Sequence, residues 1–139
     1  MSFSIFISFN GDCKEALEFY SNAFGKSVNG LMTYGEAPSA PGYELPEADR
    51  SKVIYAGMNL CGAEVMFCDA SAGSKLVKGN NINPTLGYED ESELRRVFGA
   101  LKEGGAVVMD LQKTFFSELY GMVADKFGIT WQLAWEAKA

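Results

Sequence analysis

The chain opens on alternating residues. Phe3, Ile5, Ile7 and Phe9 are apolar with Ser4 and Ser8 between them. That two-residue period is that of a strand with one buried face, and Phe6 adds apolar area on the other side. Asn10-Gly11-Asp12 reads as a turn into a helix, with Asp12 as N-cap and Glu15 in the box position three residues later. Ala16, Leu17, Tyr20, Ala23 and Phe24 then recur at helical spacing, and Gly25 is the stop. Ser27–Tyr34 predicts a strand. Residues 35–52 hold all but one of the prolines and show little periodicity, which predicts a long loop, a type of segment often functional or mobile. Val53–Leu60 and Ala63–Asp69 are apolar runs joined by Cys61-Gly62, the signal of a hairpin. Residues 70–81 are small and polar, a second loop.

The pattern then starts again. Asn83–Tyr88 predicts a short strand. Asp90 caps a helix with Glu93 in the box position and Leu94, Val97, Phe98 and Leu101 as its apolar stripe; Gly104-Gly105 ends it. Ala106–Leu111, Leu119–Ala124 and Ile129–Trp135 complete three more strands, with Lys126-Phe127-Gly128 as the last turn. The order is strand, helix and three strands, given twice, so the repeat lies in element order and caps rather than in residue identity. The expected division is a first βαβββ module at 1–70, a linker at 71–82 and a second βαβββ module at 83–139. A half of this size buries little core alone, so the halves are expected to pack together.

Composition narrows the function classes. Net charge is −6 and no Lys/Arg cluster occurs, which argues against nucleic acid and anionic membranes as partners. The amino-terminal MSFSIFISFNGD has no basic flank, and its apolar stretch is too short to span a bilayer. Three cysteines, Cys13, Cys61 and Cys68, with no C-x-x-C pair, fit reduced thiols in a cytoplasmic protein better than a disulfide framework or a zinc knuckle. There is no histidine, so the commonest metal ligand and the usual general base near neutral pH are both missing.

Three segments resemble a known family. FNGDCKEALEFYSNAFG is similar to the opening strand-turn-helix of the vicinal-oxygen-chelate superfamily, the glyoxalase, bleomycin-resistance and dioxygenase proteins. MNLCGAEVMFCDAS and LQKTFFSELYGMVADKFGITWQLAWE resemble its PhnB-like branch, with Tyr120-Gly121-Met122-Val123, Asp125, Phe127-Gly128 and Trp131 as the most specific string. The resemblance covers nearly the whole chain. It implies an α+β fold of two βαβββ modules that form curved mixed sheets around a cleft, in a homodimer. Catalytic relatives hold a divalent metal there by His and Glu on the first and last strand of each module, as a Lewis acid.

Carried over residue by residue, the first-strand positions fall at Ile5 and Asn83 and the last-strand position of the second module at Gln132. In the first module the last-strand position falls at Met66, with Glu64 or Cys68 as alternatives. Ile cannot ligate, and neutral amides are weak ligands without imidazole or carboxylate beside them. Neither a metal nor another cofactor is expected. Glu64 supports weak Mg or Ca binding only with further carboxylates nearby. A metal-free cleft can still bind: Asn83 and Gln132 offer donors and acceptors, and Phe6, Tyr55, Met66, Trp131 and Trp135 offer apolar walls. Alternation forbids Trp131 and Gln132 from facing the same side. The bland account makes the aromatics core and the amides partners of backbone groups.

Cys68 has no His to activate it, so a buried apolar thiol or a ligand-lining side chain is expected. Glu64 is the one candidate catalytic base, since burial in an apolar strand raises a carboxyl toward that role; exposure at an edge is the plainer reading. Lys78-Gly79-Asn80-Asn81 lacks the spacing of a phosphate loop, and G-x-G-x-x-G is absent, so neither nucleotide binding nor the methyltransferase label attached to PhnB-like sequences is adopted. The reading is a metal-independent homodimer that binds a small, partly apolar ligand through Asn83, Gln132, Tyr55, Met66, Phe6 and Cys68. The alternatives are a lyase-, isomerase- or dioxygenase-like enzyme using a carboxylate base such as Glu64 or an unexpected metal, and a structural or regulatory dimer with a filled cleft.

Overall fold

The computed structural model describes residues 1–38, 42, 44–71 and 73–136. Parts of both predicted loops, at 39–41, 43 and 72, lie outside the described residues. The chain forms two compact units, Met1–Val77 and Lys78–Ala139.

The first unit contains β1 (Ile5–Phe9), α1 (Cys13–Phe24), β2 (Asn29–Thr33), β3 (Val53–Leu60) and β4 (Ala63–Asp69), in a four-stranded sheet of order β1-β4-β3-β2. β1 runs parallel to β4 and the other neighbours are antiparallel, so the sheet is mixed. One face of the sheet is closed by α1. Tyr20 of that helix is fully buried, with its ring 5.7 Å from Phe67, 6.3 Å from Phe9 and 5.9 Å from Phe24. Rings at these separations add directed contact to burial that is worth roughly 1.5–3 kcal/mol for a large side chain. The hairpin at Cys61-Gly62 forms as its residues predict, both residues taking positive φ and Asn59 Oδ1 accepting from Gly62 N–H at 3.1 Å.

The second unit repeats this plan. β5 (Thr85–Tyr88), α2 (Glu91–Leu101), β6 (Ala106–Gln112), β7 (Tyr120–Ala124) and β8 (Thr130–Trp135) form a mixed sheet of order β5-β8-β7-β6. The apolar stripe of α2 is buried at Leu94, Val97, Phe98 and Leu101, while Leu86, Val123, Trp131 and Leu133 are buried together on one face of the sheet. Asp90 caps α2 as expected, its carboxylate accepting from Ser92 N–H at 2.9 Å and Glu93 N–H at 3.4 Å.

Three local expectations give way. Phe3 lies before β1 and is exposed, because no neighbouring strand pairs with it. Asp12 caps no helical N–H; its Oδ1 accepts from Asn10 N–H instead, and the carboxylate of Asp69 from the end of β4 reaches the start of α1. The long loop after β2 is tied at its base, where Tyr34 and Gly35 N–H groups donate to Lys52 and Arg50 carbonyls at 2.9 Å each. A 3₁₀ turn at Glu47–Asp49 follows, with Asp49 paired to Lys52 at 2.6 Å.

Candidate functional site: the helix-free face of each sheet

Strand register decides which side chains share a face. In the first unit Phe6 of β1 sits opposite Met66 of β4, and Met66 opposite Gly57 of β3. The adjacent row aligns Ser8 with Cys68, and β3 carries Tyr55 beside it, opposite Met32 of β2. Side chains alternate along a strand, so Phe6, Tyr55, Glu64, Met66 and Cys68 all point away from the face that α1 covers. The structure thus brings together every candidate that the sequence located in this unit. Ile5 is a correction: it shares the α1 side with Ile7 and Phe9, which are buried there, so the first-strand position on the helix-free face is occupied by Phe6.

Phe6 is 55% exposed and Tyr55 41%, whereas Met66 beneath them is 6% exposed. Cys68 is half-buried, with its sulfur 3.5 Å from Ser8 Oγ. Gly57 shapes the middle of the face. A methyl group there would collide with the carboxylate of Glu64, which folds over the glycine, and Met66 Sδ lies 3.7 Å from the same point. Glu64 is exposed, and no hydrogen bond or ion pair reaches its carboxylate from the described residues. Exposure contradicts the buried-base environment weighed for it, and it arises on the helix-free face of the interior strand β4 rather than at a sheet edge.

In the second unit the helix-free face is polar at its centre. Tyr120 O–H donates to Gln132 Oε1 at 2.6 Å, Gln132 Nε2 donates to Asn83 Oδ1 at 3.3 Å, and Asn83 Nδ2 donates to the Asn80 carbonyl at 3.2 Å. The chain of bonds fixes which end of each amide is donor and which acceptor. Tyr120 is 8% exposed, and burial raises its phenol above the ordinary value. Phe116 covers Tyr120 edge-on with ring centroids 4.9 Å apart. Tyr120 and Phe116 were not picked out as site residues from the sequence, although Tyr120 heads the most specific string; the alternation that places Gln132 on this face also places Tyr120 there, opposite Ala134.

Trp131 takes the other side, as alternation requires. It is fully buried, and its indole N–H donates to Asp125 Oδ2 at 2.8 Å while Oδ1 of the same carboxylate accepts from Phe127 and Ile129 N–H. Trp135 shares that side and donates to the Glu89 carbonyl at 2.9 Å. Neither tryptophan walls the helix-free face, which corrects their proposed part in a pocket.

The donors on these faces do not suit a divalent metal. In the first unit the aligned positions are Phe6 and Met66; in the second Gln132 is aligned with Thr85, and Asn83, just before β5, is hydrogen-bonded to Gln132. Among the described residues no group of three or more His, Cys, Asp or Glu is placed to hold an ion.

With the geometry in place, comparison with known proteins is direct. The family model described as 3-demethylubiquinone-9 3-methyltransferase matches residues 1–134. The chain belongs to that family. This PhnB-like chain is 26% identical to Protein YjdN of Escherichia coli K12, over 96% of this chain and 94% of the relative. Its fold is similar to that of the crystal structure of protein PA1353 from Pseudomonas aeruginosa, with TM-score 0.85, 25% identity and 99% of both chains covered. A Bacillus cereus structure described as a putative 3-demethylubiquinone-9 3-methyltransferase, PhnB protein, aligns at TM-score 0.76 and 28% identity over 98% of this chain and all of that one. Solved glyoxalase/bleomycin resistance protein/dioxygenase structures from Alicyclobacillus acidocaldarius and Burkholderia phytofirmans share the fold, at 13% and 12% identity and TM-scores of 0.56 and 0.65. Among the described residues no helix is long and apolar enough to cross a membrane.

Proposed function

We propose that this PhnB-like protein is a metal-independent, cytoplasmic homodimer that binds a small, partly apolar molecule on the helix-free faces of its sheets. One observation carries the reading. Register gathers Phe6, Tyr55, Met66 and Cys68 on one such face, and on the other a hydrogen bond ties Gln132 of β8 to Asn83, which lies just before β5, leaving apolar surface in the first and an ordered amide pair in the second. Small-molecule sites combine apolar walls with a few oriented polar groups; within the first unit Phe6, Tyr55 and Met66 stand with Glu64 and Cys68, and within the second the Asn83–Gln132 pair stands with Tyr120 and Phe116. Dimerisation is supported by the edge strand β6, where Val107 is 40%, Val108 58% and Met109 38% exposed. An apolar edge left in water favours pairing with a second copy.

Methyl transfer, named in the family's description, is not part of this reading. The turns from strand to helix are Asn10-Gly11-Asp12 and Glu89-Asp90, and neither is a glycine-rich cofactor turn. A second reading, an enzyme, rests on Glu64: an exposed, unpaired carboxylate beside Met66 can accept a proton from a ligand on the same face.

Thermal-shift screening of the metal-free protein against small aromatic and polar compounds tests the proposal. The expected result is stabilisation that Tyr55→Ala or Gln132→Ala weakens while unfolding of the ligand-free variants stays cooperative. Hits that stabilise both variants as much as the wild type contradict the assignment of the faces.

A further inference from the structure

The first sheet's helix-free face carries one formal charge among its strand positions, and that charge is negative. Phe6, Tyr55, Met66 and Cys68 are uncharged, no Lys or Arg occupies the rows that β1, β4 and β3 align there, and Glu64 lies across Gly57. Three separate features converge on one spot. Met66 Sδ and the Glu64 carboxylate both border the space above Gly57, and Phe6 stands one strand beyond Met66. The Tyr55 ring leans the other way, against Gly30 of β2, where a methyl group would lie 3.2 Å from the ring edge. With strands spaced about 4.8 Å apart, Phe6 on β1 and Gly57 on β3 stand roughly 10 Å apart with Met66 and the Glu64 carboxylate beside that span, and Tyr55 marks its outer edge toward β2.

Among the described residues neither ring makes an aromatic pair within this face, and no cation pairs with Glu64. Aromatic faces and soft thioethers attract organic cations through ring quadrupole and polarisability, and a carboxylate adds direct attraction. An anionic ligand meets the opposite: repulsion from Glu64 with no compensating donor.

We propose that this face selects small organic monocations, amines or quaternary ammonium groups carrying an apolar body, with Glu64 as the charge-selecting residue and Gly57 as the seat that holds its carboxylate over the sheet. The inference rests on the small-molecule-binding function proposed above and names the ligand class for the first unit's face. A methyl group at position 57 meets only the end of the flexible Glu64 side chain, so Gly57→Ala displaces the carboxylate without altering its charge.

The test is an NMR titration of the full-length, ¹⁵N-labelled protein with phenyltrimethylammonium, its neutral carbon isostere tert-butylbenzene, and benzenesulfonate. Phenyltrimethylammonium is expected to shift the amides around Phe6, Gly57 and Met66 and to bind more tightly than either other compound. Glu64→Gln and Gly57→Ala are each expected to weaken the cation by about two- to fivefold, the range for an exposed charge interaction, while leaving tert-butylbenzene unchanged. Unshifted spectra of the free variants outside this face establish that they fold. If the neutral compound binds there as tightly as the cation, or if Glu64→Gln leaves the cation's affinity intact, charge selection is overturned while small-molecule binding stands. If none of the three compounds shifts these amides, both the selection and the binding function of this face fall.

Discussion

The carboxylate of Asp69 is the point at which the first unit is most sensitive to a single atom. It is 1% exposed, and among the described residues no Lys or Arg is paired with it. Its negative charge is met by backbone donors: Gly11 N–H at 2.8 Å and Cys13 N–H at 3.0 Å on Oδ1, and Val53 N–H at 2.8 Å on Oδ2. The Asp69 carbonyl also accepts from Tyr34 O–H at 3.0 Å. One residue therefore ties the end of β4 to the β1–α1 turn, the start of β3 and the end of β2. Hydrogen bonds to a charged group are worth about 1.5–3 kcal/mol each, and a buried donor left without an acceptor costs a similar amount. Water can reach the half-buried Gly11 N–H but not the other two, so Asp69→Ala is expected to cost roughly 3–5 kcal/mol. Asp69→Asn is the sharper probe. An amide presents its oxygen to one side only, so its NH₂ must confront either Val53 N–H or the Gly11 and Cys13 pair, and the expected loss is about 2–3 kcal/mol. Urea unfolding followed by far-UV circular dichroism measures both. An Asp69→Ala protein within about 1 kcal/mol of wild type, or an Asp69→Asn protein of wild-type stability, refutes the claim that this carboxylate organises the unit.

Other outcomes follow from the same contacts. Burial first, and then the nearby charges of Asp69, Cys68 and Asp12, push the Cys13 thiol up; it stays protonated in the folded chain, so a thiol reagent at pH 8 is expected to label exposed Cys61 first and Cys13 only after unfolding. Because the folded state holds that proton more tightly, its contribution to stability is full below the ordinary thiol value of 9.0 and declines as pH rises above it. A stability profile flat from pH 8 to about 10.5 argues against this, since the unfolded thiol ionises over that window. Trp131→Phe removes the indole donor to Asp125 and is expected to cost about 1–3 kcal/mol, measured by thermal unfolding, because a buried carboxylate loses one of its donors. Gly121→Ala places a methyl 2.9 Å from both Leu111 and Phe98 and 3.1 Å from the Met109 carbonyl, so a loss of about 1–3 kcal/mol is expected, and a neutral result shows that β6 and α2 yield there.

Periodicity located most of the elements because burial imposes it. The alternation of β1 and the helical spacing of Ala16, Leu17, Tyr20 and Phe24 are the direct imprint of one sheet face meeting one helix. What pattern alone misplaced depends on partners distant along the chain. Asp12 has the residue type and spacing of a cap, yet Asp69, 56 residues from Cys13, supplies the acceptor. Ile5 counts correctly from the turn by family spacing but faces the helix, because parallel pairing with β4 fixes the parity of the strand. Tyr120 entered the site through register with β8, which no local signal encodes. Gln132 and Asn83 were legible from the resemblance, and alternation then sent Trp131 to the opposite side.

The central claim, small-molecule binding without a metal, is tested most directly by calorimetric titration of a stabilising compound from the screen into the chelator-treated protein, with and without added Mg, Mn or Zn ions. The account predicts the same affinity in every case and no stoichiometric metal uptake by the protein alone. Binding that disappears on chelation and returns with one divalent ion, and that Asn83→Ala or Gln132→Ala abolishes together with metal uptake, contradicts it.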